Sequence, residues 1–224
     1  MLRVTVAAVL WDMDGTLLDS EKLWDIGVRE LAEELGGRMT DAIRHALIGA
    51  DARNALRILF DGLGLELDPA AMLAAGQWLE RRVTELMAGP IPWRPGAQDA
   101  LATLRTAGLP AALVTNTKRS ITELCLETLG RHMFDVSVCG DEVDSGKPAP
   151  DPYLRAARLL GVAPEDCVAV EDSPTGSAAA LAAGCRVLVV PCEIAVPVRP
   201  GLEFRESLVG LTVDELALVH AGAR

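Results

Sequence analysis

The sequence predicts an α/β protein in which a doubly wound parallel sheet is interrupted by an inserted all-helical domain. Three observations lead to this prediction. Short apolar segments alternate with helical segments in the second half of the chain, one similar apolar segment stands alone near the start, and the stretch between them carries only helical periodicity.

The first strand is predicted at Val4–Trp11, which is short, apolar and partly β-branched, as a buried strand requires. The insert follows it directly. Its helices are predicted at Ser20–Leu35, Asp41–Ile48, Asp51–Gly62 and Pro69–Ala88. No strand pattern occurs in this stretch, so the insert is expected to be all-helical.

The segment GPIPWRPG, Gly89–Gly96, holds three prolines in eight residues and marks the return from the insert. After it, helices are predicted at Ala97–Ala107, Lys118–Leu129, Asp151–Leu160, Pro174–Ala183 and Val213–His220, and strands at Leu109–Val114, Phe134–Val138, Cys167–Val170 and Arg186–Val190. Residues 191–201 are expected to form an irregular connection. The predicted domains are a core of residues 1–16 and 90–224 and an insert of residues 17–89, hinged at Gly15–Ser20 and Gly89–Gly96.

The composition narrows the classes of partner. The chain has 224 residues and a net charge of −11, which argues against a nucleic-acid ligand because phosphate backbones bind to basic surfaces. No apolar run is long enough to cross a membrane and the first residues lack the features of a signal peptide, so a cytoplasmic protein without a membrane partner is expected. The sequence is compatible with a monomer. The five cysteines show no metal-binding spacing and are expected to be buried thiols.

Polar residues follow four of the predicted strands, at the edge of a parallel sheet where ligands bind. They are Asp12, Asp14, Gly15 and Thr16 after the first strand, Thr115, Asn116 and Thr117 after the second, Lys147 in the loop after the third, and Glu171, Asp172 and Ser173 after the fourth. Each cluster alone has an ordinary explanation as a turn, a helix cap or a solvated lysine. Their joint occurrence in this order predicts one site.

This set of side chains predicts a site that binds both a cation and an anion. Four carboxylates with a single ammonium leave an excess of negative charge, and all-oxygen ligands suit Mg²⁺. The backbone amides of residues 13–16 are placed to face an anion, as turn amides often do.

Four motifs in chain order resemble those of the haloacid dehalogenase-like hydrolase superfamily: DMDGTLLDSE at 12–21, VTNT at 114–117, SGKPAPDPY at 145–153 and VEDSPTG at 170–176. The helical insert after the first motif resembles the cap domain of its subfamily I. The resemblance implies an α/β core with a helical cap, and a phosphatase acting on a small phosphorylated metabolite such as a sugar phosphate.

The resemblance also implies roles for the site residues. Asp12 would be the nucleophile that forms an aspartyl-phosphate, and Asp14 the general acid and then the general base. Thr115, Asn116 and Gly15 would bind the phosphoryl group, and Lys147 would neutralise charge on both reactants. Mg²⁺ would lie between Asp12, the backbone carbonyl of Asp14 and Asp172, with Glu171 in the coordination shell or just behind it.

Two alternatives differ in chemistry. A β-phosphoglucomutase-type phosphotransferase carries a His where this sequence has Trp24, and basic residues around a cap glycine where this sequence has Ile48 and Ala52, with Arg53 displaced by one position. The segment DSEKLWD resembles the hexose-phosphate phosphatases instead. A receiver-like phospho-switch would also gather acids, a hydroxyl and a lysine at strand ends, but it needs neither Asp14 nor an insert.

Overall fold

The computed structural model describes residues 6–47 and 52–222, without the side chains of Ala52 and Arg53. The chain divides into two compact units. One comprises the described residues up to Asp19 together with those from Ile91 onward, and the other comprises Ser20–Pro90.

The first unit is built on a six-stranded parallel sheet. Its strands are β1 (Ala8–Trp11), β2 (Ala111–Val114), β3 (Val136–Val138), β4 (Cys167–Glu171), β5 (Arg186–Val189) and β6 (Leu202–Phe204). Their spatial order is β3-β2-β1-β4-β5-β6. This is a doubly wound order, which confirms the predicted fold class and places β1 between β2 and β4.

The α-helices among the described residues divide between the two units. The helical unit holds α1 (Glu21–Glu34), α2 (Asp41–Leu47), α3 (Ala52–Leu63) and α4 (Pro69–Met87). The sheet unit holds α5 (Ala97–Thr106), α6 (Arg119–Leu129), α7 (Asp151–Leu160), α8 (Pro174–Ala182) and α9 (Val213–Ala221). None of these helices combines the length and the apolar character that a membrane crossing needs.

The core of the sheet unit lies around its central strands. Every residue of β1, β2 and β4 is buried, as their continuous apolar sequences predicted. Helix α7 packs against β1, β2 and β3, and its buried face includes Tyr153, Ala156 and Ala157. Helices α8 and α9 pack against β4 and β5. The packing leaves the loops at the carboxyl ends of the strands to form the site.

Two predicted strands begin too early, for local reasons. Leu109 donates its backbone N–H to Leu104 at 3.2 Å and so still belongs to the end of α5, and the strand starts only at Ala111. Phe134 closes a 3-10 turn by donating to Arg131 at 3.3 Å, and the next strand starts at Val136. The first strand begins at Ala8, and the predicted positions Val4 and Thr5 lie outside the described residues.

Strand β6 was missed. Its three residues, Leu202–Phe204, follow a proline-rich connection and are too few to show a periodic pattern. The strand joins the edge of the sheet through Val187, which donates its N–H to Gly201 at 3.1 Å, and through Arg205, which donates to Val189 at 2.9 Å.

Helices of the second unit pack closely. Helix α1 lies on α4, and Gly27 makes this possible, because a Cβ there would lie 2.9 Å from a methyl carbon of Val83. Asp68 caps α4 by accepting the N–H of Ala71 at 2.7 Å, with Pro69 in the first turn, as predicted. The predicted positions Ile48 and Asp51 lie outside the described residues.

Residues 17–19 belong to the sheet unit, although the predicted boundary followed residue 16. Leu17 and Leu18 are fully buried, and Leu18 forms an antiparallel bridge with Trp93. Asp19 donates its N–H to Pro92 at 2.8 Å. These bonds tie the segment after β1 to the returning segment, and the division falls between Asp19 and Ser20.

All five cysteines are free thiols, and all but Cys192 are buried. Burial raises the pKa of Cys167 and of Cys185 to about 12, so these thiols stay protonated near neutral pH. The prediction of buried thiols is confirmed for Cys125, Cys139, Cys167 and Cys185.

Candidate active site

The carboxyl ends of β1, β2 and β4 lie side by side and bring the predicted residues together. Trp11, the last residue of β1, is level with Leu113 on β2 and with Val170 on β4. Asp12 continues the ladder by donating its backbone N–H to Val170 at 3.0 Å. The side chains that follow these strands therefore start at the same height in the sheet.

Lys147 lies at the centre of this cluster, with only 4% of its side chain exposed. Its Nζ donates to Asp12 Oδ1 at 2.6 Å, to the Val114 carbonyl at 2.8 Å and to Glu171 Oε1 at 2.7 Å. Burial opposes its charge, but Asp12 and Glu171 outweigh that effect and hold the Lys147 pKa above its ordinary value. The ammonium is therefore permanently charged and each of its three N–H groups has a partner.

Glu171 is fully buried and accepts four hydrogen bonds. Its Oε1 accepts from Lys147 at 2.7 Å and from the Tyr153 hydroxyl at 2.5 Å. Its Oε2 accepts from the Asp172 N–H at 3.2 Å and from the Ser173 hydroxyl at 3.3 Å. A carboxylate with both oxygens occupied in this way is held in one orientation.

Asp12 differs from Glu171 in having one open oxygen. Oδ1 accepts from Lys147, whereas Oδ2 is buried and has no hydrogen-bond partner among the described residues. Burial raises the pKa of Asp12 to about 7, with smaller contributions from the charges of Glu171 and Asp14 that exceed the opposing effect of Lys147. A buried oxygen without a donor is costly unless a ligand or metal ion uses it.

Asp14 is half-buried and accepts hydrogen bonds from two hydroxyl groups. Its Oδ2 accepts from the Thr117 hydroxyl at 2.8 Å and from the Thr115 hydroxyl at 3.2 Å. The Thr115 oxygen in turn accepts the backbone N–H of Thr117 at 3.0 Å. The residues after β2 thus orient the second carboxylate of β1.

The side chain of Asn116 positions the lysine loop. Its Oδ1 accepts the backbone N–H of Lys147 at 2.8 Å, and its Nδ2 donates to the Lys147 carbonyl at 3.1 Å. Gly146 allows this approach, because a Cβ there would lie 2.7 Å from Asn116 Oδ1. Asn116 Oδ1 and one of the two N–H groups on Nδ2 are thus engaged on the backbone of Lys147.

Gly15 and Thr16 form the turn that leaves β1. Gly15 has φ +81°, a left-handed conformation that favours glycine, and it donates its N–H to the Leu18 carbonyl at 2.8 Å. The N–H that the sequence suggested for phosphate binding is therefore used inside the turn. Thr16 is buried, and its hydroxyl has no partner among the described residues.

Three acids are close enough to share a cation. Asp12, Glu171 and Asp172 are buried, and each offers a carboxylate oxygen within 4.8 Å of the others. When all three are ionised, the single ammonium of Lys147 leaves an excess of two negative charges. The open Oδ2 of Asp12 and this all-oxygen donor set fit a hard divalent cation.

Sequence reasoning placed Thr117 and Ser173 at the site without giving them a role, and it missed the supporting residues Tyr153 and Gly176. A Cβ at Gly176 would lie 1.9 Å from Glu171 Oε1, so only glycine lets the first turn of α8 pack on that carboxylate. Ser173 caps α8, as its sequence pattern indicated, but it also donates to Glu171. One sequence feature could have indicated a role for Tyr153. It is the only tyrosine in the chain, and a buried tyrosine usually has a hydrogen-bond partner for its hydroxyl.

The comparison with protein-family models decides the family, because the model for haloacid dehalogenase-like hydrolases matches residues 6–184. The chain belongs to the haloacid dehalogenase-like hydrolases. This membership confirms the resemblance inferred from the four motifs.

Relatives within the haloacid dehalogenase-like hydrolases include several phosphatases. The chain is 36% identical to hexitol phosphatase A of Escherichia coli over 81% of each protein. It is 35% identical to a phosphorylated carbohydrates phosphatase of Thermotoga maritima, over 79% of this chain and 81% of that protein. A crystal structure of CbbY from Rhodobacter sphaeroides in complex with phosphate has a TM-score of 0.81 at 29% identity, covering 92% of this chain and 96% of that chain.

Proposed function

We propose that this haloacid dehalogenase-like hydrolase is a Mg²⁺-dependent phosphatase that hydrolyses a small phosphorylated carbohydrate through an aspartyl-phosphate intermediate. The observation that carries the proposal is the buried, unpartnered Oδ2 of Asp12, next to an oxygen already occupied by Lys147. One oxygen is held in place, and the other is left to react.

In the first half of the proposed reaction, Asp12 Oδ2 attacks phosphorus and the bond from phosphorus to the ester oxygen breaks. Asp14 gives its proton to the leaving oxygen, which departs as an alcohol. In the second half, Asp14 accepts a proton from water as the water oxygen attacks phosphorus. The acyl-phosphate bond breaks, inorganic phosphate leaves and Asp12 is restored.

Two groups of residues would lower the barrier by placement and charge. Lys147 would offset the repulsion between the Asp12 carboxylate and an approaching phosphate, because phosphoryl transfer depends mainly on alignment and neutralisation. The Thr115 hydroxyl and the backbone N–H of Asn116 would hold the phosphoryl oxygens. Thr115 would then exchange its 3.2 Å bond to Asp14 for a bond to the substrate.

The metal would be held by Asp12, by Asp172 and by the backbone carbonyl of Asp14. Glu171 would lie behind these ligands, since both of its oxygens already accept protein donors. Bound Mg²⁺ supplies two positive charges that neutralise the phosphate oxygens and orient them for in-line attack.

The substrate class is inferred from relatives, two of which are named as phosphatases of hexitol phosphates and of phosphorylated carbohydrates. The role of the helical unit as a cap stays a prediction. In that unit Arg44 bonds Asp25 at 3.0 Å and Arg57 bonds Asn54 at 3.1 Å, so either would have to change partner to reach a substrate.

The mutase alternative stays second. Trp24, which stands where the mutases carry a histidine, is half-buried in α1. The other positions that distinguish mutases, Ile48 and the side chain of Ala52, lie outside the described residues, as does the side chain of Arg53. Membership of a hydrolase family, together with phosphatase relatives, favours turnover over the receiver-like switch.

The proposal is tested by inorganic phosphate release from a panel of sugar phosphates and sugar-alcohol phosphates, with Mg²⁺ and after chelation. We expect multiple turnovers that chelation stops and Mg²⁺ restores. Asp172→Asn should raise the Mg²⁺ concentration needed for half-maximal activity, whereas Asp166→Asn should not, because Asp166 is an exposed acid in the turn before β4. A single stoichiometric burst, or activity that survives chelation, would contradict the proposal, and isomerisation faster than phosphate release would favour the mutase.

A further inference from the structure

Tyr153 joins the two charged residues that surround Asp12. It is the third residue of α7 and is fully buried. Its hydroxyl donates to Glu171 Oε1 at 2.5 Å, and its ring centroid lies 5.1 Å from Lys147 Nζ. One side chain therefore contacts both the ammonium and the carboxylate that accepts from it.

The contacts around Glu171 make its orientation depend on this hydroxyl. Ser173 and the Asp172 N–H hold Oε2, while Oε1 is shared between Lys147 and Tyr153. Gly176 packs directly against the carboxylate and leaves it no room to swing towards α8. Tyr153 is the neutral donor that opposes movement of Oε1 towards the ammonium.

The position of Lys147 depends in turn on Glu171. Its Nζ has three acceptors, and Glu171 Oε1 and the Val114 carbonyl hold it on the Oδ1 side of Asp12. A displaced ammonium could move onto Oδ2, which lies on the same carboxylate and has no partner among the described residues. It would then occupy the oxygen that must attack phosphorus.

We infer that Tyr153 is a positioning residue: by holding Glu171 Oε1 it keeps Lys147 on Oδ1 of Asp12 and so keeps the ammonium away from Oδ2. This inference rests on the proposed function, whose site it refines. It assigns the tyrosine hydroxyl a task that a buried aromatic ring alone would not have.

The test compares Tyr153→Phe, which keeps the ring, with Thr122→Val. Thr122 is also fully buried, and its hydroxyl donates to the backbone carbonyls of Lys118 at 3.0 Å and of Thr117 at 3.4 Å instead of to a carboxylate of the site. We expect Tyr153→Phe to lower kcat about tenfold or more, the usual size for a lost hydrogen bond to a charged group, and to change KM less than about twofold. Thr122→Val should leave both constants within about twofold of wild type.

A second readout does not use activity. Thermal unfolding at increasing Mg²⁺ concentration reports binding to the folded protein. The Mg²⁺ concentration that gives half of the maximal Tm increase should rise several-fold in Tyr153→Phe and stay unchanged in Thr122→Val. A Tyr153→Phe protein with wild-type kcat and a wild-type Mg²⁺ titration would overturn the inference.

A double-mutant cycle separates positioning from general packing. In a Glu171→Met background the hydroxyl has no carboxylate to hold, so adding Tyr153→Phe should change kcat and the Mg²⁺ titration by less than about twofold. Equal losses with and without Glu171 would overturn the inference; if Glu171→Met does not fold, the single variants still decide. If wild type releases no phosphate, the proposed function fails, while the Mg²⁺ titrations still test the positioning of Tyr153.

Discussion

The two carboxylates that follow β1 stand two residues apart in the chain and differ in burial and in hydrogen bonding. Asp12 is buried and bound to a buried ammonium that Glu171 also holds. Asp14 is half-buried and accepts from two neutral hydroxyls, Thr117 and Thr115. The end of one strand thus carries a carboxylate fixed by a buried ion pair beside a half-buried carboxylate that accepts hydrogen bonds from hydroxyl groups.

This difference suits the two proposed tasks. A nucleophile must stay aligned through both halves of the reaction, and a buried ion pair is costly to break. A general acid and base must give up its partners for a substrate oxygen and then for water, and hydrogen bonds to neutral hydroxyls cost less to exchange. Substitutions at Asp12, at Asp14 and at the residues that bind them test this difference, beginning with the largest expected effect.

Asp12→Asn should abolish phosphate release, with a loss of at least about 10⁴-fold, because an amide cannot serve as the nucleophile. The protein should still fold, since the substitution removes a buried charge and keeps its shape. Phosphate release and circular dichroism measure the two effects, and mass spectrometry of trapped wild type should find the phosphoryl group on Asp12. Residual turnover close to wild type would exclude covalent catalysis by this residue.

Asp14→Asn should slow the reaction by about 10²- to 10⁴-fold, the usual contribution of a general acid. The loss should be largest for alkyl phosphates, whose leaving oxygen needs a proton, and smaller for p-nitrophenyl phosphate, whose leaving group does not. The ratio of kcat values for the two substrates, in wild type and variant, measures this. An equal loss for both substrates would remove the general-acid role in the first half-reaction.

Lys147→Met should destabilise the protein by about 3 kcal/mol, since it leaves the carboxylates of Asp12 and Glu171 buried without their shared cation. Urea unfolding in the absence of metal measures the change. Arg105→Met is the matched control, because its ion pair with Asp135 is partly exposed and should contribute about 1 kcal/mol or less. Similar losses in the two variants would show that Lys147 is no more important to folding than a surface ion pair.

Much of this site could be predicted from the sequence, for a physical reason. The carboxyl ends of parallel strands meet at one edge of a sheet, so residues that follow predicted strands are brought together whatever the details of the loops. That argument found Asp12, Asp14, Lys147 and the acids after β4. Only the positions of the strands were needed for this prediction. The strands β1, β2 and β4 are easy to recognise because their sequences are continuously apolar.

The other features of the site depend on where side chains and backbone N–H groups point, which the sequence does not show. The sequence placed Asn116 at the site but did not show that Gly146 lets its amide group reach the backbone of Lys147. The N–H of Gly15 is used within its own turn. Tyr153 is part of a helix start that reads as ordinary, and its link to Glu171 appears only once α7 is packed on the sheet.

The pH dependence of the free energy of unfolding should show the raised pKa of Asp12 when wild type is compared with Asp12→Asn. The pKa of Asp12 is raised from 3.8 to about 7, so between about pH 4 and pH 7 the folded state holds a proton that the unfolded state has lost. Metal-free wild type should therefore lose stability relative to Asp12→Asn as the pH rises through this window, by at most about 1.4 kcal/mol per pH unit, and the difference should level off above it. Urea unfolding of both proteins in EDTA measures this, and parallel profiles would contradict the raised pKa.

The smallest expected effect on kcat comes from removing one of the hydroxyl groups that donate to Asp14. Thr117→Val removes the 2.8 Å hydrogen bond to Asp14 Oδ2 but leaves the Thr115 hydroxyl on the same oxygen. Because one donor remains and the bond must be given up during turnover, kcat should fall about three- to tenfold, well below the effect of losing Asp14. Thr106→Val, which removes a hydroxyl bonded to the Ala102 carbonyl on α5, is the control and should leave kcat unchanged. A loss as large as that of Asp14→Asn would mean that Asp14 is held as rigidly as Asp12, and the contrast between the two carboxylates would then lie in burial alone.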